Sequence, residues 1–341
     1  MFSKKQKDLK RVVFALMVIF ALWVLNLAEF RIAHAEEYPT KPITLIVPFA
    51  PGAGADITGR LVAGYLSKKW GQSISVVNVP GGGAVPGVHQ ALTSKPDGYT
   101  LFTDVHVTGA MMPAIYANLP FDWTKRTPIA LVNYGASIYV VNSKSPYKTL
   151  GDLGKAVKEN PNKFSWGGTG SAGVATFALG QFFDTIGVKV SDTNMVAFAG
   201  AAPALAAVAG GHIDISVGTP ESAVALVSAG KIRALAVVSD KNKRLPELPE
   251  TPTAAEAGYP SLDVITWQGI SGPAGLPQSV VDKWAIGLQK AAQDQEFLSL
   301  AEKVKLNIAY LGPDDFKAFM LKEYKKYYDL ARKLKIVIQS Q

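Results

Sequence analysis

The chain has 341 residues, of which 48% are hydrophobic and 18% charged, with 31 Gly, 21 Pro and no Cys. This composition excludes a mini-protein, a disordered chain and a coiled coil, and the lack of cysteine excludes disulfides, thiolate metal sites, iron–sulfur clusters and a cysteine nucleophile. The formal net charge is +8, half of it carried by residues 1–35, and no arginine run interleaved with aromatics points to nucleic acid.

Residues 2–11 are basic and 12–28 are uncharged and apolar. Ala33-His34-Ala35 then puts small residues where a signal peptidase reads. The pattern predicts a signal peptide over 1–35, cleaved after Ala35, and an exported, periplasmic chain. An uncleaved anchor is the competing reading, because the apolar run lies between the two length classes. A strand at 43–49, a glycine loop at 50–56 and a helix to 70 make one βα unit. Strand 74–79, the break at 80–83 and helix 85–92 repeat it, and strand 99–102 follows a turn at 95–98. Strands 129–132 and 138–141 flank Asn133-Tyr134-Gly135, and a helix begins at 150. A second series then has strands at 164–167, 195–198, 213–217 and 232–238, with helices at 174–183, 202–208 and 222–227. This alternation predicts parallel strands with helical crossovers, in two α/β lobes. A surface connection at 245–260 precedes strand 264–270 and amphipathic helices at 280–292, 297–304 and 314–334.

Gly168-x-Gly170-x-x-Gly173, between a strand and a helix, matches the dinucleotide fingerprint, with Asp192 about 20 residues on. Its physics is broader than dinucleotides. Small residues let backbone N–H groups and a helix N-terminus approach any anion, a carboxylate included, and the 51–54 loop with Asp56 makes a second such corner. Alternatively, these glycines only make tight turns. His89, His106 and His212 lack metal-ligand spacing, so no metal and no cofactor are expected. Ser171, in T-G-S-A-G, does not fit a nucleophile elbow; a secreted hydrolase using Ser171, or Asp104 with His106, is the alternative function. Phe49 and Trp267, at the ends of apolar strands, either line a pocket mouth or pack in the core.

Six strings occur in order: Tyr38-Pro-Thr-Lys-Pro-Ile43, Ile46-Val-Pro-Phe-Ala-Pro-Gly52 with Asp56, Asn78-Val-Pro-Gly-Gly-Gly83, Lys95-Pro-Asp-Gly-Tyr-Thr-Leu101, Ala229-Gly-Lys-Ile-Arg-Ala-Leu-Ala236 and Leu248-Pro-Glu-Thr-Pro-Thr-Ala-Ala-Glu-Ala-Gly258. Over 38–335 they resemble the Bug/TctC proteins, extracytoplasmic solute receptors of tripartite tricarboxylate transporters. The resemblance implies a type II-like periplasmic-binding-protein fold, α/β, each lobe a mostly parallel sheet flanked by helices, with two crossover strands as hinge. Lobe 1 is expected from 38–140 plus 265–341 and lobe 2 from 141–264. It also implies a monomer without catalytic activity that captures a small carboxylate between the lobes and delivers it to membrane permease subunits. By position, the ligand is gripped by Phe49, Ala50, Gly52, Ala53, Gly54 and Asp56 from one lobe, and by Gly168, Thr169, Gly170, Ser171 and Ala172 from the other.

The chain departs from the family pattern where ligand identity is set. Ala55 stands where a Ser or Thr is usual, Asp104 and His106 replace small residues, and 217–221 read Val-Gly-Thr-Pro-Glu. Asp104, His106, Thr219 and Trp267 therefore join the candidate ligand set. Asp104 and Glu221 near the cleft would repel a dianion unless Asp104 pairs with His106 or with a ligand amine. Asp56 is expected as a helix N-cap.

Overall fold

The computed structural model describes residues 38–336 except 117, 169, 171 and 199, together with Phe14 and Met17. The segment 1–35, expected as a signal peptide, thus lies outside the described residues apart from Phe14 and Met17. Residues 1–40 and 41–341 form separate units.

The first sheet has six strands: β1 (Ile43–Val47), β2 (Ile74–Asn78), β3 (Thr100–Val105), β4 (Arg126–Gly135), β10 (Thr266–Pro273) and β11 (Asn307–Leu311), in the order β11-β4-β10-β3-β1-β2. The second has five, β5 (Ser137–Asn142), β6 (Ser165–Gly168), β7 (Asn194–Ala197), β8 (Ile215–Gly218) and β9 (Ile232–Val238), in the order β7-β6-β8-β5-β9. Helices α1 (Gly54–Trp70) and α2 (Val85–Leu92) follow β1 and β2, and the short α3 (Met112–Ile115) follows β3. Helices α4 (Leu150–Glu159), α5 (Val174–Thr185), α6 (Ala201–Gly210) and α7 (Pro220–Ser228) interleave with the second sheet. Three more, α8 (Gln278–Ala291), α9 (Gln295–Lys303) and α10 (Pro313–Leu334), complete the chain.

Local chemistry accounts for the element ends. Helix α1 stops at Gly71, which takes the left-handed conformation (φ 69°) and returns its N–H to Ser67. Helix α4 starts at a reciprocal capping box, with Asp152 N–H to Thr149 Oγ1 at 3.0 Å and Thr149 N–H to Asp152 Oδ2 at 2.9 Å.

The sheets are mixed rather than mostly parallel. Strand β1 is parallel to β2 and β3, and β6 is parallel to β7 and β8, as helical crossovers require. Strand β10 runs antiparallel to both β3 and β4, β11 antiparallel to β4, and β5 antiparallel to β8 and β9. The strands that break the rule are those without a helical crossover to their sheet neighbours. Strand β4 passes into β5 with only Ala136 between them, and β10 returns from the second sheet to insert between β3 and β4.

The deepest packing lies under β10, where Trp267 is fully buried edge-on to Phe316 and Phe319 of α10, each 5.6 Å between ring centroids. Burying rings of this size contributes on the order of 2–3 kcal/mol each. The second half of α10 instead meets α5. Phe177 and Tyr327 meet edge to face at 5.0 Å, Leu334 covers Gly180, and Lys333 pairs with Asp184 at 2.5 Å. Helix α10 therefore does not pack with the first sheet alone. Among the described residues no helix is long and apolar enough to cross a membrane.

Candidate functional site

In open α/β sheets, ligands bind beyond the carboxyl ends of the strands. At that end of β1 the chain turns through 48–53 into α1. The turn is held by Asp56, which is only 3% exposed. Its Oδ2 accepts the Gly52 N–H at 2.9 Å and Arg60 Nε at 3.0 Å, and its Oδ1 accepts Asn78 Nδ2 at 2.8 Å. Asn78 also donates to the Phe49 carbonyl at 2.9 Å. Burial opposes the charge of Asp56, but the bonds from Arg60, Gly52 and Asn78 outweigh it and hold the carboxyl below its ordinary value. The N-cap of α1 is Ala53, in extended conformation. Asp56 is thus not the cap: it sits in the first turn and reaches back to fix the bend. The exposed Gly52 has φ 82°, a conformation glycine adopts freely.

Of the second bend, Thr169 and Ser171 lie outside the described residues. Gly168 ends β6, and a Cβ there would strike Met195 Sδ at 2.8 Å. Gly170 is exposed with φ 79°; its carbonyl accepts Thr176 Oγ1 at 2.8 Å and the Gly173 N–H at 3.1 Å. Ala172 is buried. Strands β6 and β8 are parallel neighbours, with Gly167 opposite Ser216. Gly168 therefore lies at the same end of the sheet as Thr219, with the two strands about 5 Å apart.

Thr219 is the N-cap of α7, and its hydroxyl lies 3.1 Å from Ser222 Oγ. Two residues on, Glu221 reaches across to the first bend, where its Oε1 is 2.5 Å from the position a Cβ on Gly54 would take. Gln268 Nε2, from β10, lies 3.2 Å from the same point. Gly54, Glu221 and Gln268 therefore converge at the first turn of α1. Gln268 was not a sequence candidate. Its inward pointing and its pairing opposite Val105 and Asn133 exist only through the antiparallel insertion of β10.

Three sequence candidates belong to the core. Both oxygens of Asp104 receive Arg126 Nη1 at 2.8 Å, and Oδ1 also receives Thr108 Oγ1 at 2.7 Å. Its charge is compensated by Arg126, not by His106, and the pair is almost wholly buried. Nδ1 of His106 lies 3.1 Å from the Trp267 carbonyl and 3.2 Å from its N–H. Burial pushes the imidazole down to about 4, against a smaller raising effect of the Trp267 backbone. Trp267 fills the core between His106 and α10 rather than a pocket mouth. Arg126 was missed because a lone arginine after a turn carries no signal until β3 and β4 are placed in one sheet. Among the described residues no group of three or more His, Asp or Glu is placed to hold a metal ion.

Comparison with known proteins agrees with this architecture. Residues 58–336 match the family model of the tripartite tricarboxylate transporter family receptors. A protein encoded in the tcbD-tcbE intergenic region of Pseudomonas sp. strain P51 is 28% identical over 317 residues, covering 92% of each chain. The structure of the periplasmic binding protein BugD superposes with a TM-score of 0.79 at 26% identity, over 89% of this chain and 100% of that one. MatC of Rhodopseudomonas palustris, solved with bound malate, gives 0.77 at 25% identity, over 86% of this chain and 99% of that one. With a family match that runs from residue 58 to 336 and takes in most of the chain, the chain belongs to the tripartite tricarboxylate transporter receptor family.

Proposed function

We propose that the chain is a periplasmic receptor that captures a small carboxylate between its two sheets and hands it, chemically unchanged, to the membrane permease of a tripartite tricarboxylate transporter. The observation that carries this reading is the meeting of Glu221 with Gly54. It joins the carboxyl-terminal end of the second sheet to the helix N-terminus that follows β1. Backbone N–H groups at such a terminus favour an anion. The malate held by MatC supports a carboxylate as that anion. The ligand contacts on this reading are Phe49, Ala50, Gly52, Ala53 and Gly54 on one side, and Gly168, Thr169, Gly170, Ser171, Ala172 and Thr219 on the other, with Asp56 as the positioning residue. Export by a signal peptide cleaved after Ala35, and a monomeric state, complete the proposal.

A hydrolase built on Asp104 and His106 is disfavoured by the partners of each. Asp104 is committed to Arg126 and Thr108, and the Nδ1 of His106 to the Trp267 backbone. A thermal-shift screen of mono-, di- and tricarboxylates tests the receptor reading, since a ligand at a hundred times its Kd stabilises by about 2.7 kcal/mol. The responding acid should then lose its effect on Gly170→Val, at the exposed left-handed position of the second bend. No response to any acid refutes the reading.

A further inference from the structure

Resting on the receptor reading, we infer that Gln268 and the first N–H groups of α1 form the seat of the ligand carboxylate, and that Glu221 is a built-in competitor lying over that seat, which the ligand must displace. In the first turn of α1 the Asp56 and Ile57 N–H groups both close onto the Ala53 carbonyl at 2.9 Å, and the Gly52 N–H goes to Asp56 Oδ2. The N–H groups of Gly54 and Ala55 are left over, with no hydrogen-bond partner among the described residues. Ala55 is buried. Gln268 adds a donor from β10. The residue is 2% exposed, and its Nε2 lies 3.2 Å from the point where a Cβ on Gly54 would stand. That nitrogen also makes no hydrogen bond among the described residues. Unused donors in a covered place are costly, so their gathering at one helix start marks a position built for an acceptor.

Glu221 covers this position without using its donors. Its Oε1 is 2.5 Å from the same Cβ point, so the carboxylate presses against Gly54 and takes the space a ligand atom would need there. Its own hydrogen bonds come from its backbone N–H and the Thr219 hydroxyl, both at the start of α7, and no lysine or arginine among the described residues pairs with it. Burial works against its charge and pushes the carboxyl up. By leaving, Glu221 regains water, and the carboxylate that replaces it takes the donors that Glu221 leaves idle. Molecules whose seat is covered are closed to the ligand, so the apparent affinity is lowered by the fraction in which the seat stands open.

The test is isothermal titration calorimetry on the mature chain with malate, succinate, adipate and citrate. Glu221→Ala should tighten binding of the responding acid at least fivefold, and Glu221→Gln, which keeps the bulk but drops the charge, should move it the same way. Gln268→Met, of similar length but without the donor, should weaken it tenfold or more while the circular dichroism spectrum stays unchanged. A Glu221→Ala chain that binds every responding acid no tighter than wild type overturns the inference and leaves the receptor reading standing. So does a Gln268→Met chain with wild-type affinity. An acid that binds only the Glu221 variants supports it. If no acid binds any of these chains, both fall together.

Discussion

Replacing Asp56 by Ala removes the acceptor around which the 50–56 bend is built. The carboxylate holds the Gly52 N–H, Asn78 Nδ2 and Arg60 Nε at 2.8–3.0 Å. Buried hydrogen bonds to a charged group contribute on the order of 1.5–3 kcal/mol each. The Arg60 side chain is half exposed, so its pair adds only about 0.5–1 kcal/mol. Because the three donors share one carboxylate their contributions do not add fully, and a loss of roughly 3–4 kcal/mol at neutral pH is expected. Asp56→Asn should recover only part of this, since its amide turns one acceptor into a donor facing other donors. The pH dependence supplies a control. The folded carboxyl lies below its ordinary 3.8, so its stabilisation is complete above that value and is lost as pH falls through the folded one. Urea denaturation followed by circular dichroism should show a constant gap between wild type and Asp56→Ala near neutrality, closing in acid. A neutral-pH difference under about 1 kcal/mol, or a gap that widens on acidification, refutes the account of the bend.

Arg126→Ala strands a buried carboxylate at Asp104 and should cost about 3–5 kcal/mol by urea denaturation, whereas Asp104→Leu with Arg126→Met should restore most of it. His106 titrates in the fold at about 4 instead of 6.5 because burial disfavours the imidazolium. The unfolded chain takes up that proton first, so stability should decline by roughly 3 kcal/mol between those two pH values; His106→Leu should flatten that decline in acid denaturation, and an unaltered slope would count against a buried neutral ring. Gly54→Ala places a methyl against Glu221 Oε1 and Gln268 Nε2. Because Glu221 can swing aside and Ala suits a helix, Tm should change by less than a few degrees, while ligand affinity in calorimetry falls at least tenfold.

The βα units were legible because their signals are local. A β-branched run ending in Pro and Gly before an apolar helical stripe gives β1, the 48–53 turn and α1, and helix 85–92 falls where periodicity puts it. The first bend was legible for the same reason. Strand direction was not, since it depends on which connection crosses between sheets, and neither the β4-to-β5 passage nor the insertion of β10 leaves a local trace. Strand β11 escaped notice because N-I-A-Y-L is short and lies at a sheet edge, half covered. The turn from Val107 to Met111 depends on Thr108 bonding back to Asp104 and Val105, a tertiary choice of partners. Asp104 and His106 looked like cleft residues because they follow a strand end, but the arginine and tryptophan that claim them come from other strands.

The connections between the sheets constrain how such a receptor closes. Ala136 links β4 to β5, residues 239–265 lead from β9 back to β10, and α10 spans both sheets, its Phe316 against β10 and its Tyr327 and Leu334 against α5. A closing rotation that preserves all three has its axis near them, because points on an axis move least. Gly135 and Thr266 lie at the first crossing. They are paired across β4 and β10, and a Cβ on Gly135 would run into the Thr266 hydroxyl. A side chain at Gly135 would have to push that hydroxyl aside, while the backbone opposite lies at 3.8 Å. The approach of Glu221 to Gly54 is different in kind. It is a contact between side chain and helix terminus that no continuous chain spans, so it is free to part when the sheets rotate.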